Sequence, residues 1–502
     1  MPLNLSNRDQ TSGQLFYARR LRAAVTRFSV RMKHDDRKQQ AALLLSAVFV
    51  VLGCGWMALL HVVKPAGLVG QSAVVGNRDT GALYARIDGR LHPALNLTSA
   101  RLATGGDSMP TWVKASEIAK YPTGPIIGIP GVSDDLAVTG NPMSAWTVCD
   151  TAGGTPRTGA AGDAPLVTAI AGELQAGGRA AAMSDAHAIL ATHRGDTYLV
   201  WGGKRSRINL ADRSVTFNLG IDPGTVRPVE LSNALFDAIP ATEPLAVPVI
   251  PQAGTASKWL PGSVVGRVLE TRDSTGEVNG FYVLLPAGVQ RITAFAADLL
   301  RTANSHGAPA PELVSPDKLV NIPEVEILNL GYYPTAKPTF VDTDANPVTC
   351  VSWMKQSTDP QATIAIVNGR GLPTPQHLDA HLVTLVRDNR DSDSVEAHQT
   401  LMLPGAANFV ASTSAAPGAA TRESLFWVSP QGVRYGVERD DATLAALRLD
   451  PARAVQAPWS ILRTFAAGPA ISRADALLAR DSIAVAAVAA PIGPVDQPSE
   501  ER

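Results

Sequence analysis

Between Ala41 and Val63 the chain carries 23 residues of which only Ser46 and His61 are polar. A helix rises about 1.5 Å per residue, so this run extends roughly 34 Å, enough to cross a hydrocarbon core of about 30 Å. A core helix keeps a polar face, and this run has none. A cleaved leader has a shorter apolar run, about 7–15 residues, with a small-residue exit. Here the run begins some 40 residues in and ends with Trp56, His61 and Lys64. The pattern predicts an uncleaved transmembrane helix over 41–63. Upstream the period changes. Leu21, Val25, Phe28 and Met32 follow at spacings of 4, 3 and 4, one face of a helix whose remainder is rich in arginine.

After the span the apolar runs are short. Four segments share an aromatic strand, a glycine turn and then a second strand or helix-like run. They are Leu83–Leu91 followed by Leu95–Leu102, Tyr198–Arg205 leading to Ile208, Phe281–Ile292 followed by Ala294–Leu300, and Leu425–Tyr435 followed by Ala442–Leu447. The aromatic residue precedes the glycine by 5 residues in Tyr84–Gly89 and Tyr198–Gly203, and by 6 in Tyr282–Gly288 and Phe426–Gly432. Glycine at a hairpin turn permits φ > 0. The starts are unevenly spaced, which excludes a regular solenoid and predicts four copies of one small α+β module with a larger insert before the last. Within that insert Thr363–Val367 and Ala407–Val410 read as strands, and Asn368-Gly369 as a turn. Ser232–Ile239 reads as a short helix.

Charge assigns the two sides. Residues 1–40 hold nine Lys and Arg against three Asp, a net of about +6 in a chain whose total is -1. The positive-inside rule puts such a flank in the cytoplasm, and the 439 residues after Val63 on the far side. The basic amphipathic stretch suits anionic lipid or a partner helix, with Arg19, Arg20, Leu21, Arg22, Val25, Phe28 and Met32 as its docking residues. Of three cysteines, Cys54 lies in the span, while Cys149 and Cys350 lie on the exported side, where disulfides persist. They are the one possible pair there. A bridge would close a loop of about 200 residues and contribute on the order of 5 kcal/mol in the chain-entropy model. The alternative is two separate thiols.

The chain offers little catalytic chemistry. Gly202-Gly203-Lys204-Arg205-Ser206 approaches a phosphate loop, but Tyr198 stands where the first glycine belongs and Arg205 where Ser or Thr belongs. Asp342-Thr343-Asp344-Ala345-Asn346 starts like a calcium loop, then places Pro347 and Trp353 where Gly and Glu are required. This predicts an Asp/Asn turn. His187 and His193 lack zinc spacing and a third ligand. Arg194-Gly195-Asp196 reads as a turn. No basic, aromatic-interleaved patch for nucleic acid appears in the exported region. No catalytic residue, cofactor or metal ligand is named on this reading.

The chain resembles the EccB family, inner-membrane core components of type VII (ESX) secretion systems in mycobacteria and related actinobacteria. The resemblance rests on Arg19-Arg20-Leu21-Arg22-Ala23-Ala24, Ala85-Arg86-Ile87-Asp88-Gly89-Arg90-Leu91, Pro93–Leu102, Trp201-Gly202-Gly203-Lys204-Arg205, Asn368-Gly369-Arg370-Gly371-Leu372-Pro373 and Leu403-Pro404-Gly405-Ala406-Ala407. It implies a structural subunit of the secretion membrane complex, with a cytoplasmic N-terminal helix, one span and periplasmic repeats around a central domain. It also implies a disulfide mapping onto Cys149 and Cys350. Implied partners are EccC, EccD and EccE subunits, further copies of itself in a sixfold assembly, a mycosin protease and membrane lipid. An ATPase label attached to the family finds no Walker A motif here. The alternatives are a membrane-anchored cell-wall-binding module and an ATP hydrolase.

The expected fold is a single-pass membrane protein with an α+β periplasmic region of four hairpin-plus-helix repeats around a strand-rich central domain. Its segments are 1–40, a cytoplasmic basic amphipathic helix; 41–63, the span; 64–80, a linker; 81–319, repeats one to three; 320–415, the strand-rich central insert; 416–484, repeat four; and 485–502, a disordered tail.

Overall fold

The computed structural model describes residues 8–28, 33–63, 67–153, 164–175, 178–222, 226–386 and 394–483. The tail expected over 485–502 lies outside them. Two helices lead the chain, Arg8–Arg27 and Lys33–Val63. The first stops where Phe28 takes a φ of +45°, a backbone state that a bulky side chain rarely adopts. Leu21 and Val25 share the helix with Tyr17 one turn earlier. Phe28 lies past its end, and Met32 lies outside the described residues. The described part of the expected apolar stripe is therefore not one continuous helical face. The second helix begins before the expected span. Its stretch Gln40–Leu59 is, among the described residues, the one helix long and apolar enough to cross a membrane.

Five sheets follow. The largest has seven strands in the order Val383–Thr384, Gln399–Met402, Leu166–Ala171, Met143–Thr151, Val348–Gln356, Thr363–Gly369, Ala180–Ala182. Its two central strands pair antiparallel along their whole length, from Met143↔Gln356 to Thr151↔Val348. Strands from 143–182, expected among the first three repeats, thus join strands from the 320–415 segment. That segment does not stand alone as a domain, because each half supplies one hairpin and neither hairpin buries both faces unaided.

The other four sheets share one order of elements. In the first, the meander Val74–Asn77, Leu83–Ile87, Arg90–Ala94 leads to helix Leu97–Thr104. Thr111–Val113 then returns parallel to the first strand, and after helix Ala115–Ile118 a bridge at Ile127 runs parallel to the third. The second repeats this with His187–His193, Asp196–Trp201, Lys204–Ile208, helix Arg213–Leu219, Val229–Glu230, helix Asn233–Ala238 and bridges at Ala241 and Leu245. The third runs Val268–Arg272, Val278–Leu285, Gly288–Ile292, helix Ala294–Ala303, Glu312–Leu313, helix Pro316–Val320 and a bridge at Glu324. The fourth runs Phe409–Thr413, Leu425–Val428, Val433–Val437, helix Asp441–Leu447, Val455–Pro458, helix Trp459–Leu462 and Ala466–Ala467. The first strand, Val74–Asn77, falls inside the expected 64–80 linker, and Phe409–Thr413 falls inside the expected insert. Val74–Asn77 carries no aromatic to mark it as the start of a hairpin unit, while Phe409–Thr413 does begin with one.

Local sequence explains these units. The longer helix of each starts at an N-cap that accepts a backbone N–H: Asn96 from Ser99, Asp212 from Ser214, Thr293 from Ala296 and Asp440 from Thr443. Gly89, Gly203 and Gly432 hold the positive φ that the hairpins require. Gly288 does not. Its need is space, since a Cβ there would lie 2.0 Å from the Pro323 carbonyl oxygen. Gly369 likewise sits in a strand rather than a turn, with the Arg179 carbonyl oxygen 2.1 Å from where its Cβ would be.

The units pack in pairs. Leu102 and Ile129 of the first share a core with Phe409, Trp427 and Leu444 of the fourth. Leu199 and Leu219 of the second share one with Val283, Phe295 and Leu299 of the third. Ala479–Arg480, near the end of the described chain, pairs with Ile126–Ile127 and closes the first sheet.

Candidate functional site

Strand alternation divides the central pair of strands into two faces. On one, Cys149 stands directly opposite Cys350, and the two form a disulfide with Cα atoms 4.0 Å apart across a separation of 201 residues. Thr147 is hydrogen-bonded to Ser352 on the same face at 3.1 Å. Both cysteines are fully buried. Ile170, Val367 and Leu401 join them in one buried cluster from neighbouring strands, and Leu174, Leu372, Leu378 and Leu382 pack against that cluster. The last three leucines come from the segment after Gly369, which includes the 3-10 turn Gln376–His381.

On the opposite face lie Trp146, Val148, Val351 and Trp353, under Leu235 and Ala238 of the second unit and Ile461, Leu462 and Phe465 of the fourth. Trp146 meets Phe465 edge-on at 5.4 Å and donates through Nε1 to Ser144 Oγ at 2.8 Å. Ser144 Oγ in turn donates to the Gln456 carbonyl at 2.6 Å. Asp150 is buried here. Its carboxyl accepts from the Ser232 backbone N–H at 2.7 Å and from Ser232 Oγ–H at 2.6 Å. Ser232 Oγ also caps the helix by accepting from Leu235 N–H. Burial pushes the Asp150 carboxyl up to about 7, against the Ser232 bonds that favour its charged form. Arg463 and Asp237 pair between the fourth and second units.

A second construction recurs at the residue two after the hairpin glycine. Arg205 Nε donates to the Phe236 and Ile239 carbonyls at 2.9 and 3.1 Å, and Arg434 Nε to the Phe465 carbonyl at 3.0 Å. Gln290 donates to the Leu328 carbonyl at 2.7 Å and accepts from Ile327 and Leu328 N–H. Each side chain ties the third strand to the second helix or to the chain just beyond it. In the first unit the position is Leu91, fully buried in an apolar cluster. In the sequence Arg205 stands out only as the residue that breaks the phosphate-loop pattern. Comparison of the residue two past each glycine would have raised it, since three of the four are polar.

The other sequence candidates take ordinary structural places. Gly202-Gly203 is the turn between two antiparallel strands, not a strand-to-helix loop. Lys204 lies over Trp201, 5.2 Å from the ring centroid, and buried Ser206 is paired with Thr242. Asp342 accepts from the N–H groups of Asp344 and Ala345, as an Asp turn does. Arg194 and Gly195 form a hairpin turn with positive φ, and Asp196 pairs with Arg207. His193 is stacked on Phe236 with centroids 3.8 Å apart, and its Nδ1 meets the Leu231 carbonyl. His187 pairs with Ser184. Arg19, Arg20, Leu21, Arg22 and Val25 are exposed along the first helix. Phe28 is exposed beyond its end.

Residues 3–485 match the family model described as type VII secretion system ESX-1, transport TM domain B. Over 483 residues the chain is 62% identical to the ESX-2 secretion system ATPase EccB2 of Mycobacterium tuberculosis, covering 96% of this chain and 97% of that one. It is 39% identical over 488 residues to the ESX-3 secretion system ATPase EccB3 of Mycolicibacterium smegmatis, covering 95% and 91%. Among solved structures it is similar to a chain of an intact ESX-5 inner membrane complex, with a TM-score of 0.75 at 34% identity over 98% and 99% of the two chains. It is also similar to a chain of the EccB3 dimer from the ESX-3 core complex, with a TM-score of 0.70 at 35% identity over 81% and 100%. With one candidate span, a large mixed α/β region of several sheets and a match along nearly its whole length, the chain belongs to the EccB family of type VII secretion membrane proteins.

Proposed function

We propose that this chain is a structural subunit of the type VII secretion inner-membrane complex. The observation that carries this is the whole-chain likeness to a subunit of the ESX-5 inner membrane complex. The helix Lys33–Val63 anchors the subunit, with its basic N-terminus in the cytoplasm and the bulk of the chain in the periplasm. The four sheets of shared element order are four repeats, and the stapled seven-stranded sheet is the central domain that holds them in pairs. Two-sided placement lets one chain link a cytoplasmic motor assembly to a periplasmic scaffold. Self-association is supported by the EccB3 dimer to which the chain is similar. Sixfold assembly and contact with EccC, EccD, EccE and mycosin subunits belong to the same reading. Hydrolysis of ATP forms no part of it, because Gly202–Ser206 is a hairpin rather than a phosphate cradle.

In this reading the basic helix Arg8–Arg27 is the cytoplasmic contact. Its exposed Leu21 and Val25 provide an apolar strip beside Arg19, Arg20 and Arg22. Deleting residues 1–27, with the span retained, is expected to abolish co-purification of the cytoplasmic motor subunit from detergent extracts while the Cys149–Cys350 bridge still forms. Undiminished co-purification removes the docking role from this helix.

A further inference from the structure

The disulfide is closed off from solvent by a cover that is held on differently from the rest of the core. Residues 370–382 pack through Leu372, Leu378 and Leu382 against the buried cluster that contains Cys149 and Cys350. Within this strap the backbone bonds are mostly its own: Thr374 N–H to Leu372, Leu378 N–H to Pro375 and Leu382 N–H to Asp379. Its entry is tied by Arg370 N–H to the Arg179 carbonyl. Its middle is tied by the Arg179 side chain. Nη1 and Nη2 donate to the two Asp379 carboxylate oxygens at 2.6 and 2.8 Å, and Nη2 also donates to the Thr374 carbonyl at 3.0 Å. This forked pair has the geometry of a strong charge-assisted contact, and Asp379 raises the Arg179 guanidinium above its ordinary value. The clip is nonetheless partly open to solvent, with the two side chains 25% and 39% exposed. Thr374 Oγ1 and Arg179 Nε are buried there with no hydrogen-bond partner, so the closed strap carries unmet polar groups.

We propose that the strap is a hinged shield over the Cys149–Cys350 bridge, and that the Arg179–Asp379 clip sets how readily a thiol reductant reaches it. A segment joined to the core, past its entry bond at Arg370, by a few apolar side chains and the partly solvated Arg179 side chain opens locally at far lower cost than the sheet beneath it. With the strap lifted, a dithiol reductant attacks through a thiolate on one cysteine sulfur. A mixed disulfide forms and the other cysteine leaves as thiolate. The second reductant thiolate then attacks the reductant's own sulfur in the mixed disulfide and expels the first cysteine as thiolate, leaving Cys149 and Cys350 reduced and the reductant oxidised to its cyclic disulfide. With the strap shut, the buried sulfurs offer no line of attack. The bridge thereby belongs to a redox-sensitive device rather than to an inert staple.

The test uses the detergent-solubilised full-length protein carrying Cys54→Ser, which removes the free thiol. Dithiothreitol is added for timed intervals, and new thiols are counted by maleimide mass shift. Asp379→Ala is expected to speed reduction roughly tenfold, with Arg179→Lys intermediate because it keeps charge without the fork. Arg463→Ala, which breaks an ion pair on the opposite face of the central sheet, is expected to leave the rate near that of the parent. Equal rates for Asp379→Ala and the parent overturn the proposal. So does equal acceleration by Arg463→Ala, since the cause is then general loosening. If Asp379→Ala does not fold, Arg179→Lys alone decides between these outcomes.

Discussion

On one face of the central sheet, Trp146 and Val351 lie beneath two short helices, one held at its N-cap by Asp150–Ser232 and the other through the strand that leads to it by Ser144–Gln456. On the other, Cys149 and Cys350 lie beneath a strap clipped by Arg179–Asp379. The sulfurs and the Trp146 ring are equally buried. The locks differ in how far they are removed from water. A hydrogen bond made in a dry interior is costly to break because both partners lose their one alternative, whereas a half-exposed ion pair exchanges its partner for solvent. The helix face is therefore built to stay closed and the strap face to open. Stability should reside mainly on the first face and accessibility mainly on the second.

The strongest way to break this comparison is Trp146→Ala. It removes one of the largest fully buried side chains from the helix face and is expected to cost about 3–5 kcal/mol in urea unfolding of the solubilised protein. A loss below the strap-face value would reverse the ranking of the two faces.

Next comes the pH dependence of the helix face. The Asp150 carboxyl is raised from 3.8 to about 7 in the folded chain. Between those values the folded state holds a proton that the unfolded state has released. The contribution is thus complete below 3.8 and is lost as pH rises through about 7. Asp150→Asn should remove this slope, on the order of a few kcal/mol across the window, in unfolding curves taken from pH 4 to 8 (roughly that window). An unchanged slope would place the titrating group elsewhere.

The smallest effect is expected on the strap. Leu378→Ala removes a half-buried side chain and should cost about 1 kcal/mol in the same unfolding assay. A loss matching Trp146→Ala would make the strap part of the cooperative core.

Much of the periphery was legible in the chain. Gly89, Gly203 and Gly432 marked their hairpins because a turn with positive φ is a local demand. Helix-like runs were legible at Leu95–Leu102, Ala294–Leu300 and Ala442–Leu447, whereas the helix Arg213–Leu219, capped by Asp212, was not. Gly288 and Gly369 misled for an instructive reason. Each is required by a carbonyl from a distant segment, Pro323 or Arg179, and nothing in the flanking residues shows it. Asp150 was invisible as a site because the burial that raises its pKa comes from tertiary packing, and its hydrogen-bond partner Ser232 stands 82 residues away.

Sequence by itself determined the candidate span, the charge asymmetry about it, the four glycine-containing aromatic segments and the cysteine pair beyond it. All of these depend on residues close in the chain or on simple counting. Only the tertiary structure decided that strands 143–151 and 348–356 lie side by side in one sheet, that the units pack first with fourth and second with third, and that one face is locked while the other is clipped. Strand propensity says that a segment will pair and leaves its partner open. The partner is selected by which faces remain to be buried once every local unit has formed.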